Sequence, residues 1–329
     1  PSPPSSNRRQ RQMCIRDSCK PVEAYSGGDG MRAVVARCYG GPDILALETI
    51  DKPVPGELDV LVRVRTAGVN PLDWHYMRGT PYVLRMQAGL GRPDDIRAGV
   101  DFAGVVEAVG PGVTRFAPGD AVFGGANGAF AEYVLIPESY AIAKLPDNVG
   151  FDAAAGVPIA AITALQAVRD KGEVSSGDRV LVNGASGGVG TYAVQIAKSL
   201  GADVTGVSST RNHEMVTGLG ADRMIDYKTE NYVEGNVLYD VMIDNVGNPS
   251  ISANRDVLAA GGRYVIVGGA KGNWIAPFVG PVRAMLASSD TGQTFHTLFA
   301  RLKREDLDTL AGMLADDTLT TVIDRRYEI

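Results

Sequence analysis

The chain has 329 residues, 45% of them hydrophobic, and a formal net charge of −6; that length and apolar content predict two domains, each with a sizeable core. The acidic balance supplies no basic field for nucleic acid or an anionic membrane surface, and no apolar run approaches the roughly 20 residues that cross a bilayer, so a small-molecule substrate is favoured. The start lacks a secretory apolar region and the cysteines are Cys14, Cys19 and Cys38, which argues against a disulfide framework and for a reducing, cytoplasmic compartment.

Residues 1–30 are rich in Pro, Ser and Arg without apolar periodicity, and are expected to lie outside the fold as a disordered or non-native tail, with Met31 as the natural start. Arg8, Arg9, Arg11 and Arg16 among serines also match the composition of a mitochondrial transit peptide, although Pro3 and Pro4 interrupt the amphipathic face such a peptide needs. From 31 to 150, short apolar runs at 32–36, 59–65, 104–110, 120–124 and 131–136 alternate with Gly, Pro and Asp, which predicts a compact, mostly antiparallel β domain. In the second run Val60, Val62 and Val64 fall on one face and Arg63 and Arg65 on the other, the period of a half-buried strand. The turn Asn70-Pro71-Leu72-Asp73-Trp74-His75-Tyr76 then gathers several polar groups. Asn70 and Asp73 read equally as the N-cap of a helix through Met77 and as site residues, with Asn70 the stronger site candidate.

After Gly150 the texture changes to helical stretches separated by fully apolar strands, the pattern of βαβ units in a parallel sheet. The strand Val180, Leu181, Val182 leads into a glycine loop, and Ala193, Ile196, Ala197 and Leu200 recur beyond it at helical spacing. The loop holds Gly184, Gly187 and Gly190 as Gly-x-x-Gly-x-x-Gly, one residue looser than the usual dinucleotide fingerprint, with Ser186, Gly188 and Val189 between them. Glycine there lets the backbone turn tightly beside a pyrophosphate, and the helix N-terminus beyond presents unpaired N–H groups and the positive end of a dipole. The next strand ends in Ser208-Ser209-Thr210-Arg211, with no Asp or Glu between Val204 and His213 to hold a ribose hydroxyl. Ser208, Ser209 and Arg211 suit a 2′-phosphate instead, so NADPH is favoured over NADH, although Arg211 also reads as a solvated helix-start residue. Further strands end at Asn245 and at Val267-Gly268, placed either to flank a nicotinamide or to make ordinary turns.

Taken together, Gly68-Val69-Asn70-Pro71-Leu72-Asp73, Gly99-Val100-Asp101-Phe102-Ala103-Gly104, Gly119-Asp120-Ala121-Val122-Phe123-Gly124, Pro158-Ile159-Ala160-Ala161-Ile162-Thr163 and the Gly184–190 loop stand in the order and spacing of a known family. From about Met31 to Tyr327 the sequence resembles the zinc-independent quinone oxidoreductases of the medium-chain dehydrogenase/reductase family. The resemblance implies an α/β fold, a Rossmann doubly wound parallel sheet over 151–318 plus a GroES-like, mostly antiparallel β domain over 31–150 with a return segment near 319–329. It implies hydride transfer from NADPH to a quinone or an activated carbonyl or alkene in the cleft between the domains. Asn70, Asp73 and Tyr76 are the catalytic candidates it suggests, with Thr163 at the nicotinamide ribose or amide and Tyr227 and Arg211 at the adenine end. Proton donation falls to Asn70, to Tyr76 or Tyr82, or to solvent. The zinc-dependent cousins carry a cysteine where Asn70 stands and a further four-cysteine lobe, so no metal is expected.

Relatives often pair through the edge of the nucleotide-domain sheet, which makes a homodimer the expected assembly and residues 263–267 with the following loop the candidates for that edge. They also continue past Tyr327, so the chain is expected to stop short of theirs. The loops at 80–93 and 269–280, the latter with Trp274, are expected to shape the substrate pocket. An NADPH-dependent alkenal or enoyl thioester reductase, and a non-catalytic NADPH-binding protein, are the alternative readings.

Overall fold

The computed structural model describes residues 27–248, 250–268 and 292–328. Most of the tail expected at 1–30 and the loop at 269–280 with Trp274 therefore lie outside the described residues. The chain divides into two compact units, Pro1–Glu138 and Ser139–Ile329.

In the first unit β1 (Gly30–Ala36) and β2 (Leu45–Asp51) form an antiparallel hairpin in which Gly30 faces Asp51 and Ala36 faces Leu45. The strands β3 (Asp59–Gly68), β4 (Asp101–Val109), β5 (Ala121–Gly125) and β6 (Tyr133–Pro137) form an antiparallel sheet in the order β6-β3-β4-β5. Val60, Val62, Phe102, Val122, Phe123, Val134 and Ile136 are wholly buried and make its core. The expected alternation along β3 holds at Val60, Val62, Arg63 and Arg65 but not at Leu61, which is also buried. The pairing register between β3 and β4 shifts between Leu61 and Val62, where Glu107 is the extra residue, and such a bulge alters which face a side chain takes. Cys38 is disulfide-bonded, against the expectation of reduced thiols.

In the second unit β7 (Ile142–Lys144) packs against the helix Arg304–Ala315. The strands β8 (Arg179–Asn183), β9 (Asp203–Ser208), β10 (Arg223–Asp226), β11 (Tyr239–Asp244), β12 (Leu258–Ile266) and β13 (Thr294–Thr297) build a parallel sheet in the order β10-β9-β8-β11-β12-β13. The order reverses between β8 and β11, and beyond the carboxyl ends of strands at such a reversal doubly wound sheets bind their ligands. The central strands β8, β9, β11 and β12 are apolar in their middles because both faces are covered there: Val180, Val182, Val204, Val241, Ile243 and Val265 have no exposure. The helix Gly188–Ser199 buries Tyr192, Ala193, Val194, Ile196 and Ala197 against the sheet and against the helix Pro158–Leu165. Leu200, expected in that apolar face, is exposed because it is the C-cap, one residue beyond the helix.

Residues 319–328 lie in the second unit. Thr321 bonds to the Ala153 carbonyl and the Tyr192 hydroxyl, Thr320 to the Gln195 side chain, and Arg326 pairs with Asp152 at 2.6 Å.

Candidate active site

The glycine loop joins β8 to the helix Gly188–Ser199 in one tight turn. Gly184 has φ of +78°, a left-handed conformation that glycine adopts without the strain a side chain would bring. A Cβ on Gly190 would lie 2.1 Å from the Gly184 carbonyl oxygen, so only glycine lets the helix start this close to the strand. Gly187 and Gly188, by contrast, are exposed, and no side chain caps the helix at Gly187. The helix thus opens outward with bare backbone, the arrangement that receives a phosphate. Ser186, Val189 and Gly190 complete the loop, Gly190 buried and the other two partly exposed.

The end of β9 lies beside this loop. Asn212 donates from Nδ2 to Ser186 Oγ at 3.0 Å and to Ser209 Oγ at 3.4 Å, joining the glycine loop to the segment after β9. Each serine accepts from the amide and keeps its own hydroxyl hydrogen for a ligand. Ser208 differs, being buried with its hydroxyl turned to the Ser209 carbonyl. Arg211 is exposed and pairs with no acid among the described residues. Tyr227 is exposed and its N–H donates to the Ser208 carbonyl, which sets it at the same end of the sheet.

Asp226, at the end of β10, reaches the same segment. It accepts from the Thr210 hydroxyl and from the N–H groups of Thr210 and Lys228, and the Thr210 hydroxyl together with Lys228 N–H holds its carboxyl below the usual range. Sequence reasoning looked for an acid only between Val204 and His213 and so passed over Asp226, which pairing of β10 with β9 brings back beside Ser208.

Asn245, Val267 and Gly268 gather at the reversal of strand order. Asn245 donates from Nδ2 to the Asn183 carbonyl at 3.0 Å, while its Oδ1 is buried without a partner among the described residues. The Val267 and Gly268 N–H groups both bond to the Asp244 carbonyl. A Cβ on Gly268 would lie 2.1 Å from the Asn245 carbonyl oxygen, and one on Gly184 would lie 3.4 Å from Asn245 Cβ. The ends of β8, β11 and β12 therefore touch. Thr163, on the helix Pro158–Leu165, donates its hydroxyl to the Ile159 carbonyl at 2.6 Å, which leaves its oxygen as an acceptor.

In the first unit the helix Pro71–Arg78 begins at Asn70 with Pro71 in its first position and ends on Gly79. Asp73 Oδ2 accepts the Asn70 N–H at 2.7 Å, the carboxylate half of a capping box. The Asn70 side chain donates from Nδ2 to Asp101 Oδ2 at 2.8 Å. Asp101 is wholly buried at the start of β4. A carboxylate only accepts, so the contact fixes which end of the carboxamide carries the hydrogens. Burial pushes the Asp73 carboxyl up to about 6, against the opposing pull of the Asn70 N–H, and its Oδ1 is buried without a partner among the described residues. Asp73 and Tyr76 line a cavity of about 180 Å³ with Tyr39, Met77 and Arg97. His75 is held by the Thr80 carbonyl at 2.7 Å. Among the described residues no group of three or more His, Cys, Asp or Glu is disposed to hold a metal ion.

The comparisons with known proteins agree with this architecture. Residues 56–147 match the alcohol dehydrogenase GroES-like domain and residues 188–296 the zinc-binding dehydrogenase domain. The chain is 34% identical to the quinone oxidoreductase of Homo sapiens over 255 residues, covering 72% of this chain and 73% of that protein. The solved quinone oxidoreductase of Coxiella burnetii shares 28% identity at a TM-score of 0.74, over 88% of this chain and 89% of that one. The CurK enoyl reductase shares the fold, with a TM-score of 0.77 at 20% identity over 90% of this chain and 91% of that one. With a parallel nucleotide-binding sheet, a GroES-like antiparallel unit and these relatives, the chain belongs to the medium-chain dehydrogenase/reductase family and is an oxidoreductase of the quinone oxidoreductase type.

Proposed function

We propose that this chain is a zinc-independent reductase that uses NADPH to reduce a quinone or an activated carbonyl or alkene. The observation that carries the cofactor choice is the group at the end of β9. Arg211 is unpaired among the described residues, Ser186 and Ser209 keep hydroxyl hydrogens, and the nearby Asp226 carboxylate is engaged by Thr210 and Lys228. A 2′-phosphate placed there meets donors and a cation without facing a free carboxylate.

The residues present fit a dinucleotide. Gly184, Gly187, Gly188 and Gly190 would hold the pyrophosphate, Ser209, Arg211 and Tyr227 the adenosine end, and Thr163, Asn245, Val267 and Gly268 the nicotinamide end. The buried, unpartnered Asn245 Oδ1 is an acceptor of the kind a carboxamide N–H satisfies. When bound, the nicotinamide supplies a hydride. Asn70 commits one amide hydrogen to the buried Asp101. Its second hydrogen then has a set direction, and a fixed donor at a developing oxyanion lowers the barrier without costly reorganisation. Asp73 and Tyr76 are the groups proposed to store or pass the proton. At the position where zinc cousins carry a cysteine, the chain offers a carboxamide bound to a carboxylate, which supports zinc independence.

The test is oxidation of NADPH and NADH against benzoquinone, phenanthrenequinone, an alkenal and an enoyl thioester. Turnover of quinones with NADPH well above NADH is expected. Arg211→Ala is expected to raise the KM for NADPH about tenfold or more, the worth of one hydrogen bond to a charged group, and to leave that for NADH unchanged. Equal use of both cofactors by the parent chain overturns the NADPH assignment, and turnover of the thioester or alkenal alone moves the acceptor to that class.

A further inference from the structure

Four polar side chains form a continuous buried series inside the second unit. The Tyr232 hydroxyl donates to Asn254 Oδ1 at 2.8 Å, Asn254 Nδ2 donates to the Tyr264 hydroxyl at 2.8 Å, and that hydroxyl donates to Asp244 Oδ2. Asn254 has no exposure, Asp244 1%, Tyr264 2% and Tyr232 7%, so water reaches the series barely if at all. Both tyrosines stand among the apolar residues Leu181, Met242, Val257 and Leu258. Burial first, and then the Asp244 charge, pushes both phenols above their ordinary value, which keeps them protonated as donors. No Arg or Lys among the described residues pairs with Asp244, whose oxygens are met there by hydrogen bonds.

The other carboxylate oxygen faces the ligand end of the sheet. Asp244 Oδ1 accepts from Val246 N–H at 3.0 Å, Gly247 N–H at 2.9 Å and Asn183 Nδ2 at 2.9 Å. The second hydrogen of that amide goes to Asn248 Oδ1 at 2.9 Å. The turn after β11 is therefore bound on both sides, and it packs on the glycine loop: a Cβ on Gly184 would lie 2.8 Å from Val246 Cγ2. One carboxylate with a single torsion thus joins the core of the unit to the turn that abuts the first glycine. A hydrogen-bonded series of this kind transmits the loss of one member along its length.

We propose that the series Tyr232, Asn254, Tyr264, Asp244 is a positioning device for the cofactor loop, in which Asp244 holds the Val246–Gly247 turn against Gly184 and so sets dinucleotide affinity. The proposal rests on the dinucleotide reading above. Asp244 and Tyr264 are positioning residues, acting through the turn rather than on the reacting atoms. Loss of the Tyr264 hydroxyl frees one carboxylate oxygen in the interior, lets the carboxylate rotate, and loosens the two amides on its other oxygen.

The full-length chain carrying Tyr264→Phe tests this, with Tyr232→Phe as a milder variant one link further away. The readouts are the NADPH Kd by fluorescence titration, amide hydrogen exchange at Val246 and Gly247 without cofactor, and the melting temperature. For Tyr264→Phe, Kd is expected to rise about tenfold, the scale of one lost hydrogen bond to a charged group, with faster exchange at both amides and little change in kcat at saturating NADPH. Tyr232→Phe is expected to shift Kd and exchange in the same direction by a smaller factor, and it decides the matter if Tyr264→Phe does not fold. A lowered melting temperature with unchanged Kd and unchanged exchange overturns the proposal, leaving the series a purely structural one. Failure of the parent chain to bind NADPH would instead overturn the dinucleotide reading, while exchange at Gly247 still reports on the coupling.

Discussion

Asp73 shows how one residue serves the fold and stays available for chemistry. One oxygen caps the helix through the Asn70 N–H, and the other is buried beside the cavity shared with Tyr76. Its folded-state value of about 6 lies above the ordinary 3.8, so the folded chain holds this proton more tightly than the unfolded chain does. That preference stabilises the fold below about pH 4 and is lost as the pH rises to about 6, where the buried carboxyl must ionise. Asp73→Asn keeps an acceptor for the cap but has no proton to lose. Urea unfolding across that window should show the parent chain losing about 1–2 kcal/mol relative to the variant as the pH rises, after allowance for solvent screening. Parallel pH profiles for the two chains would show that Asp73 does not titrate there. Asn70 and Asp73 were legible from their spacing, whereas the partner that orients Asn70, Asp101, lies 31 positions further on and is brought to it only by pairing of β3 with β4.

At the scale of the element, the glycine loop separates two uses of the same amino acid. Gly190 lies under the Gly184 carbonyl, while an added Cβ on Gly187 would meet only that carbonyl oxygen at 3.4 Å and one on Gly188 only Ala160 Cβ at 3.8 Å, both ordinary contacts. Gly190→Ala is therefore expected to destabilise the chain by about 1–3 kcal/mol through overpacking. Gly187→Ala should leave stability within about 0.5 kcal/mol and, on the proposed dinucleotide reading, instead weaken NADPH binding, since its added methyl group would stand at the exposed helix start proposed to receive the phosphate. Thermal melts paired with NADPH titrations of the two variants check this, and equal losses of stability would show that both glycines serve packing. The loop, its strand and its helix were all readable in sequence because they are local and periodic. The 208–211 segment was less so: equal-looking serines take opposite roles, with Ser208 turned inward and Ser209 tied to Asn212.

For the whole molecule, cofactor binding and folding are linked, because a ligand that binds only the folded chain stabilises it by mass action. NADPH at about 100 times its Kd should add about 2.7 kcal/mol, raising the melting temperature by about 5–10 °C for a unit of this size, and NADH at the same concentration should add less. Differential scanning fluorimetry with each cofactor measures the difference, and identical shifts would remove the preference for the 2′-phosphate. Two units, a parallel sheet in one and an antiparallel sheet in the other, followed from the sequence alone, because apolar periods of two residues and long apolar strands separated by helical stretches are properties of neighbouring residues. The glycine loop between β8 and its helix followed for the same reason. Tertiary structure alone decided the rest: that Asp226 comes back beside Ser208, that Asn212 ties Ser186 to Ser209, and that Asp244 joins a buried tyrosine series to the turn against Gly184. The long-range contacts among these, Asp226 to Thr210, Asn212 to Ser186 and Tyr264 to Asp244, join separate strands or loops. Nothing in a local pattern carries that information, since it is pairing order in the sheet that brings their side chains within hydrogen-bonding distance.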